Sequence, residues 1–433
     1  MKIVYITPGS GGSFYCENCI RDIELVKALR ARGHDAVIVP MYLPLTADGA
    51  VIGREGPVFY GAVRIYLEQI CPPLRRLPRG LGRVLDSLPV LKLAARMAGS
   101  TRAGGLEEMT LSMLRGESGR QSGDLARLEE WLAAEGRPDV VHLSNALLLG
   151  LARGVRHAAK APIVCSLQDE DTWVDTMRTG YREQVWSAMA ERARDVDVFA
   201  AVSRHYAGTM RDRLELPADS LHVVHLGLDT RAYEPAPVDV QPPAIGYLSR
   251  QSEALGLGIL AEAFMLLKQD PAFAPLKLRI TGGRTGDDTR FLRSLRRRLA
   301  ACGLLADVDF VDEFERDRRI DFLRSLTLLS VPAVRGEAFG MFQIEAMACG
   351  VPVVQPRTGA FPEVVEAAGG GMLYEPNDPP ALARALTSLL KDPDRRAELG
   401  KRGRQAVLRD FTIERMVDNM LKVYAAALDQ AGA

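Results

Sequence analysis

Apolar residues in this chain fall into short runs, separated by stretches in which they recur with a helical period. Residues 2–7 read KIVYIT and predict a first strand, followed by a Gly-rich loop, PGSGGS, over residues 8–13. Ile20, Ile23, Val26 and Leu29 then mark one side of a helix that ends at Gly33, and residues 35–39 give a second strand. This is a βαβ opening. Residues 139–143, 162–167 and 196–202 predict further buried strands with helical patterns between them, so a parallel sheet with crossover helices follows. Near residues 230–243 the pattern breaks. Pro235, Pro237, Pro242 and Pro243 forbid a helix and predict a stiff connector.

Beyond that connector the same rhythm restarts. Strands are predicted at residues 244–248, 276–281, 308–311, 326–331 and 351–355, with helices at 257–267, 290–301 and near 318–325. The expectation is an α/β fold of two facing Rossmann-like domains, residues 1–234 and 243–411, with a ligand cleft between them. A length of 433 residues agrees, since single cores stop growing well short of that size.

Charge and cysteine content narrow the picture further. Lys plus Arg and Asp plus Glu both number 55, so no overall field favours nucleic acid as a partner. The six cysteines are scattered and no secretory signal precedes the first strand, so a disulfide framework is not expected and a cytoplasmic setting fits. No apolar run is long enough to span a bilayer. Between Arg64 and Arg102, however, eight basic residues face two acids, Glu68 and Asp86, within an insertion placed near residues 64–125. Two readings stand: a solvated helical hairpin, or a basic amphipathic surface in peripheral contact with anionic lipid on the inner face of the membrane.

The chemistry concentrates at residues 337–354, EAFGMFQIEAMACGVPVV. A helix beginning at Met341 and stopping at Gly350 would leave the amides of Gly340, Met341 and Phe342 free at its N-terminus, a ready site for a diphosphate. Glu337 in the preceding loop and Glu345 about one turn into the helix flank that site. A carboxylate accepts two hydroxyl hydrogen bonds at once, so Glu337 is placed to hold a hexose and Glu345 a ribose. Two readings stand for the loop at Gly9, Gly11 and Gly12: backbone amides brought close to phosphate or acceptor, or a tight strand-to-helix turn; as a dinucleotide fingerprint it lacks the third Gly. Cys16-Glu-Asn-Cys19 has no second pair at zinc spacing, and a packed loop-to-helix junction is expected there in place of a metal or redox site. His142, His205, His222 and His225 lack metal spacing and are expected to be structural.

The run from Glu337 to Val354 resembles the signature of the retaining glycosyltransferases of family 4, which have the GT-B fold: two Glu separated by seven residues, then a run like EAMACGxPVV. Gly11-Gly12, Leu29 with Gly33-His34, Asp139-Val-Val-His142, Val202-Ser203, Gly227-Leu-Asp229 and the helix after Phe411 extend the resemblance over nearly the whole chain. It implies sugar transfer from a nucleotide-sugar donor to an acceptor with retention of configuration, no metal and no separate cofactor. It also implies that Glu337 contacts the donor sugar, that Glu345 contacts the ribose, and that a last helix, residues 412–433, crosses back onto the first domain.

Two departures from the family pattern stand out. The second domain's first loop carries Arg250 but has Leu255 where a Lys usually neutralises the diphosphate, leaving Arg250 as the expected cation on the donor. In the first domain, Gln168-Asp169-Glu170-Asp171 replaces the usual His-Asp, and Gln168 cannot act as a general base. Gln168, Asp169 and Asp171, with Gly11 and Gly12, are expected on the acceptor side. The leaving diphosphate itself then takes the acceptor proton, and catalysis rests on positioning and charge stabilisation. A nucleotide-sugar epimerase of the same fold and a non-catalytic nucleotide-sugar binding protein are the alternatives.

Overall fold

Two sheets form from the two halves of the pattern. A computed structural model describes residues 1–9, 14–41, 45–47, 50–52, 106–237 and 239–432. The first half contains β1 (Lys2–Thr7), β2 (Asp35–Pro40), β3 (Leu45–Ala47), β4 (Ala50–Ile52), β5 (Val140–Leu143), β6 (Ile163–Leu167), β7 (Val198–Ala201) and β8 (Leu221–Val223). Six of these lie side by side in the order β2-β1-β5-β6-β7-β8, every pair parallel, while β3 and β4 make a separate antiparallel pair. The second half contains β9 (Ala244–Leu248), β10 (Lys277–Thr281), β11 (Val308–Phe310), β12 (Leu328–Leu329), β13 (Val353–Pro356) and β14 (Gly371–Tyr374). Their order is β11-β10-β9-β12-β13-β14, again wholly parallel. These are the two expected Rossmann-like units.

The sheet interiors explain the apolar runs. Every residue of β5, β6, β7 and β9 is buried, because helices cover both faces of a parallel sheet. The helix Glu17–Ala31 lays Ile23, Val26 and Leu29 on the first sheet. β12 is shorter than expected. After Leu329 side-chain bonds join the regular ladder: the Ser330 hydroxyl donates to the Val354 carbonyl (2.6 Å) and the Val331 amide to Gln355 Oε1 (3.2 Å). β8 and β14 had not been anticipated; both are short, and β8 is only half-buried, so neither has a distinctive apolar run.

The chain passes between the units twice. On the first pass the connector docks on the second unit, where the Ala236 amide donates to the Cys349 carbonyl (2.7 Å). On the second pass Thr412 pairs with Leu228 in a parallel bridge, closed by Leu228 N to Phe411 O (2.9 Å) and Ile413 N to Leu228 O (2.8 Å). Gly227 permits this approach, since a Cβ there would overlap the Thr412 carbonyl. The last helix, Ile413–Gly432, then lies against the first sheet and the first helix. Tyr424 bonds His142 Nδ1 (2.8 Å), and Arg32 pairs with Asp418 and donates to the Glu414 carbonyl (3.1 Å). His142 is fully buried, and burial followed by the charge of Arg21 pushes it well below the usual imidazole range. It is a core residue.

Among the described residues no helix is long and apolar enough to cross a membrane. The basic stretch from Arg64 to Arg102 and the loop residues Gly11 and Gly12 lie outside the described residues.

Candidate active site

Strand order in the second sheet reverses between β9 and β12, which places a crevice beyond their carboxyl ends. The loop after β9 carries Arg250, and the loop after β12 carries Glu337. The latter loop ends at Gly340, which sits at φ 81° as the N-terminal cap of the helix Met341–Ala348 and supplies no side chain to satisfy its amides. Every residue of that helix is buried.

Those amides face an acid of the other domain. The carboxyl of Glu17, the first residue of the first domain's first helix, lies close enough to the Met341 and Phe342 amides for them to favour its charged form. Burial, then the neighbouring charge of Asp169, pushes the Glu17 carboxyl up to about 8 against the pull of those amides. Glu345 is inaccessible to solvent, with Oε2 accepting from the Tyr15 hydroxyl (2.6 Å) and Oε1 from the Tyr233 hydroxyl (2.6 Å) and Arg319 Nε (2.7 Å). Arg319 is only 3% exposed, donates also to the Phe314 carbonyl (2.9 Å), and lies 5.4 Å from the centre of the Tyr15 ring.

Glu337 has no hydrogen-bond partner at Oε1 among the described residues. Burial, then the charges of Asp169, Glu17 and Asp171, holds its carboxyl well above the usual range, with Arg250 pulling the other way. Leu255 packs against the second domain's core and carries no charge toward the cleft.

From the first domain, Asp169 follows β6 in a left-handed backbone conformation (φ 61°), a strain seldom carried by a residue other than Gly, Asn or Asp. Its Oδ1 accepts from the Ala338 amide across the cleft (3.4 Å), and burial followed by the charges of Asp171 and Glu170 pushes its carboxyl up to about 7. Asp171 Oδ1 and Glu170 Oε2 both approach the Tyr206 hydroxyl, at 3.0 and 2.7 Å. Gln168 is buried and its Oε1 accepts from Arg21 (2.8 Å), which is itself bonded to Asp22 and to the Ser144 carbonyl. Thus Glu17, Asp169, Asp171, Glu337 and Arg250 lie within electrostatic reach of one another.

A second contact between the domains lies beside this cluster. Ser203 caps the helix Arg204–Leu214 and donates to the Ala338 carbonyl (2.6 Å). Glu363 of the second domain accepts from the amides of Arg204 (3.0 Å) and His205 (3.1 Å) and from His225 Nε2 (2.6 Å). Burial raises this carboxyl, but the bonds from His225 and the two amides outweigh it and hold it at about 2.

Tyr15, Glu17, Tyr233, Arg319 and Glu363 were not singled out from the sequence, and the expectation for Cys16 and Cys19 needs correction. Their sulfurs are joined in a disulfide, their Cα atoms 5.4 Å apart across the helix's N-cap and first turn. Wide scatter of cysteines along a chain does not bear on two that a helix start brings face to face. Among the described residues no group of three or more His, Cys, Asp or Glu is arranged to hold a metal ion.

Comparison with known proteins agrees with this fold. A family model described as "Glycosyl transferases group 1" matches residues 232–406, and one described as "Glycosyltransferase Family 4" matches residues 109–232. A D-inositol 3-phosphate glycosyltransferase of Xylanimonas cellulosilytica is 30% identical over 349 residues, covering 75% of this chain and 77% of its own. One of the same name from Salinispora tropica is 29% identical over 453 residues, covering 92% of this chain and 88% of its own. Among solved structures, Anabaena Alr3699/HepE in complex with UDP and glucose superposes with a TM-score of 0.69 at 18% identity, covering 98% of this chain and 99% of its own.

Proposed function

The chain belongs to glycosyltransferase family 4, with the GT-B fold, and from that premise we propose that it moves a sugar from a nucleoside-diphosphate donor to an acceptor with retention of anomeric configuration. The observation that carries this reading is the helix Met341–Ala348, whose amides open on the cleft behind a glycine cap with Glu337 before it and Glu345 within it. That the Met341 and Phe342 amides favour the charged form of the nearby Glu17 carboxyl supports their fitness for anionic oxygen.

In this reading the diphosphate lies against Gly340, Met341 and Phe342, and Arg250 meets the charge that grows on it as the sugar leaves. Glu337 orients the sugar hydroxyls and Glu345 the ribose, while Asp169 and Asp171 hold the acceptor hydroxyl. The leaving diphosphate takes the acceptor proton. No metal or separate cofactor is assigned a role, because guanidinium and helix amides supply the positive field. The UDP held by the Anabaena protein makes a uridine diphosphate sugar the first donor to try.

Leu255 and Gln168 favour one competing reading, a protein that binds nucleotide-sugars without turnover. A thermal-shift panel of nucleotide-sugars, followed by nucleoside diphosphate release from any donor that stabilises, tests both. Binding with no hydrolysis and no transfer to any hydroxyl acceptor would favour the non-catalytic reading. Stabilisation by none would sink both.

A further inference from the structure

Resting on that donor-site reading, we propose that the segment from Phe14 to Glu17 is a resident occupant of the donor site, which an incoming nucleotide-sugar must displace. Four contacts carry it from the first domain into the second. Phe14 forms an antiparallel bridge with Gly283, and the Tyr15 amide donates to the Gly282 carbonyl (2.8 Å). The Tyr15 hydroxyl donates to Glu345 Oε2 (2.6 Å), and the Glu17 carboxyl lies beside the Met341 and Phe342 amides, which favour its charged form.

The chemistry of the last two contacts matches that of the ligand. A phenol donating to Glu345 does what a ribose hydroxyl would do, and an acid oxygen beside the helix amides sits where a phosphate oxygen would. The two mimics are separated by Cys16 alone, whose disulfide to Cys19 ties the segment to the helix start. Neither group can stay while a nucleoside diphosphate takes the same partners. The occupant is also a poor one: Glu17 is held among Asp169, Glu337 and Glu345, whose charges oppose its own. A ligand that brings its own diphosphate to Arg250 has an advantage there that Glu17 lacks. Donor affinity is therefore the intrinsic affinity reduced by the fraction of molecules in which the segment has withdrawn.

The test is calorimetric titration of wild type, Tyr15→Phe, Glu17→Ala and the double variant with uridine, guanosine, adenosine and cytidine diphosphates. If the segment is docked in nine molecules of ten, its release tightens diphosphate binding roughly tenfold, about 1.4 kcal/mol. Tyr15→Phe keeps the ring that packs beside Arg319 and so guards against misfolding, as do matched melting curves for all four proteins. Tighter binding in the variants supports the inference, as does binding seen only in the variants. Wild-type binding that is unchanged or weakened in both single variants overturns it and leaves the donor-site reading intact. Absence of binding in all four proteins overturns the donor-site reading and this inference with it.

Discussion

Replacing Arg319 with Met should destabilise the second domain severely. Arg319 Nε lies 2.7 Å from Glu345 Oε1, with the two side chains 3% and 0% exposed, so neither charge has solvent to fall back on. Removing one partner of such a pair leaves the other buried and uncompensated, a loss of about 3–5 kcal/mol. The Tyr15 and Tyr233 hydroxyls remain on Glu345 and soften the loss, which argues for the lower end. At about 2–4 °C per kcal/mol for a domain of this size, the melting temperature should fall by about 6–12 °C. The double variant Arg319→Met/Glu345→Gln should recover much of that, because the glutamine keeps an acceptor for the tyrosines and removes the stranded charge. Scanning calorimetry on wild type, both single variants and the double variant closes the cycle. A single Arg319→Met melting within a degree or two of wild type, or a double variant no better than that single one, would refute the claim that charge pairing holds this core.

Three further outcomes are expected. Arg250→Ala should weaken nucleoside diphosphate binding by about 2–5 kcal/mol while leaving nucleoside affinity nearly unchanged, with Arg250→Lys in between, as read by calorimetry. Glu337→Gln should cut turnover far more than donor affinity, which steady-state kinetics alongside direct binding would resolve; equal small effects would remove it from the sugar subsite. Glu363 is held at about 2, below the ordinary carboxylate value of about 4.3, so the stability it contributes is fully present above the ordinary value and lost as pH falls through the lower one. The melting-temperature gap between wild type and Glu363→Gln should therefore be present at about pH 5 and close toward pH 2; a gap that persists at pH 2 counts against this assignment.

Much of the architecture was legible because parallel strands buried on both faces must be apolar throughout, and β1, β6 and β9 have no alternative reading. Gly340 and Gly350 likewise mark the ends of the helix that carries Glu345, and the structure puts both in the left-handed region. The partners of Glu345 were not legible. Tyr15 lies 330 positions away and Tyr233 lies 112, and nothing local to any of these residues encodes the meeting. Arg319 sat within a run of charges, RDRR, that reads as a solvated helix face until the fold turns one of them inward. Glu17 was not legible either, because an acid in a helix's first turn has no local mark of a partner, whereas the fold sets it beside the Met341 and Phe342 amides of the facing domain.

The last helix has a bearing on how the protein is made. Val417, Met420, Val423, Tyr424 and Ala427 are buried against a unit whose strands were completed by Val223, some two hundred residues earlier in the chain. Domains usually fold in turn as they leave the ribosome, the N-terminal one first. Here the N-terminal unit emerges with an apolar strip of its surface uncovered, and the strip stays open throughout synthesis of the second unit. Only the twenty-residue helix Ile413–Gly432 closes it. The second unit can therefore finish folding before the first does, and a chain released before that helix is made would have one sound half and one sticky half. Chaperone dependence during expression should accordingly track the last helix, even though the surface at risk belongs to the start of the chain.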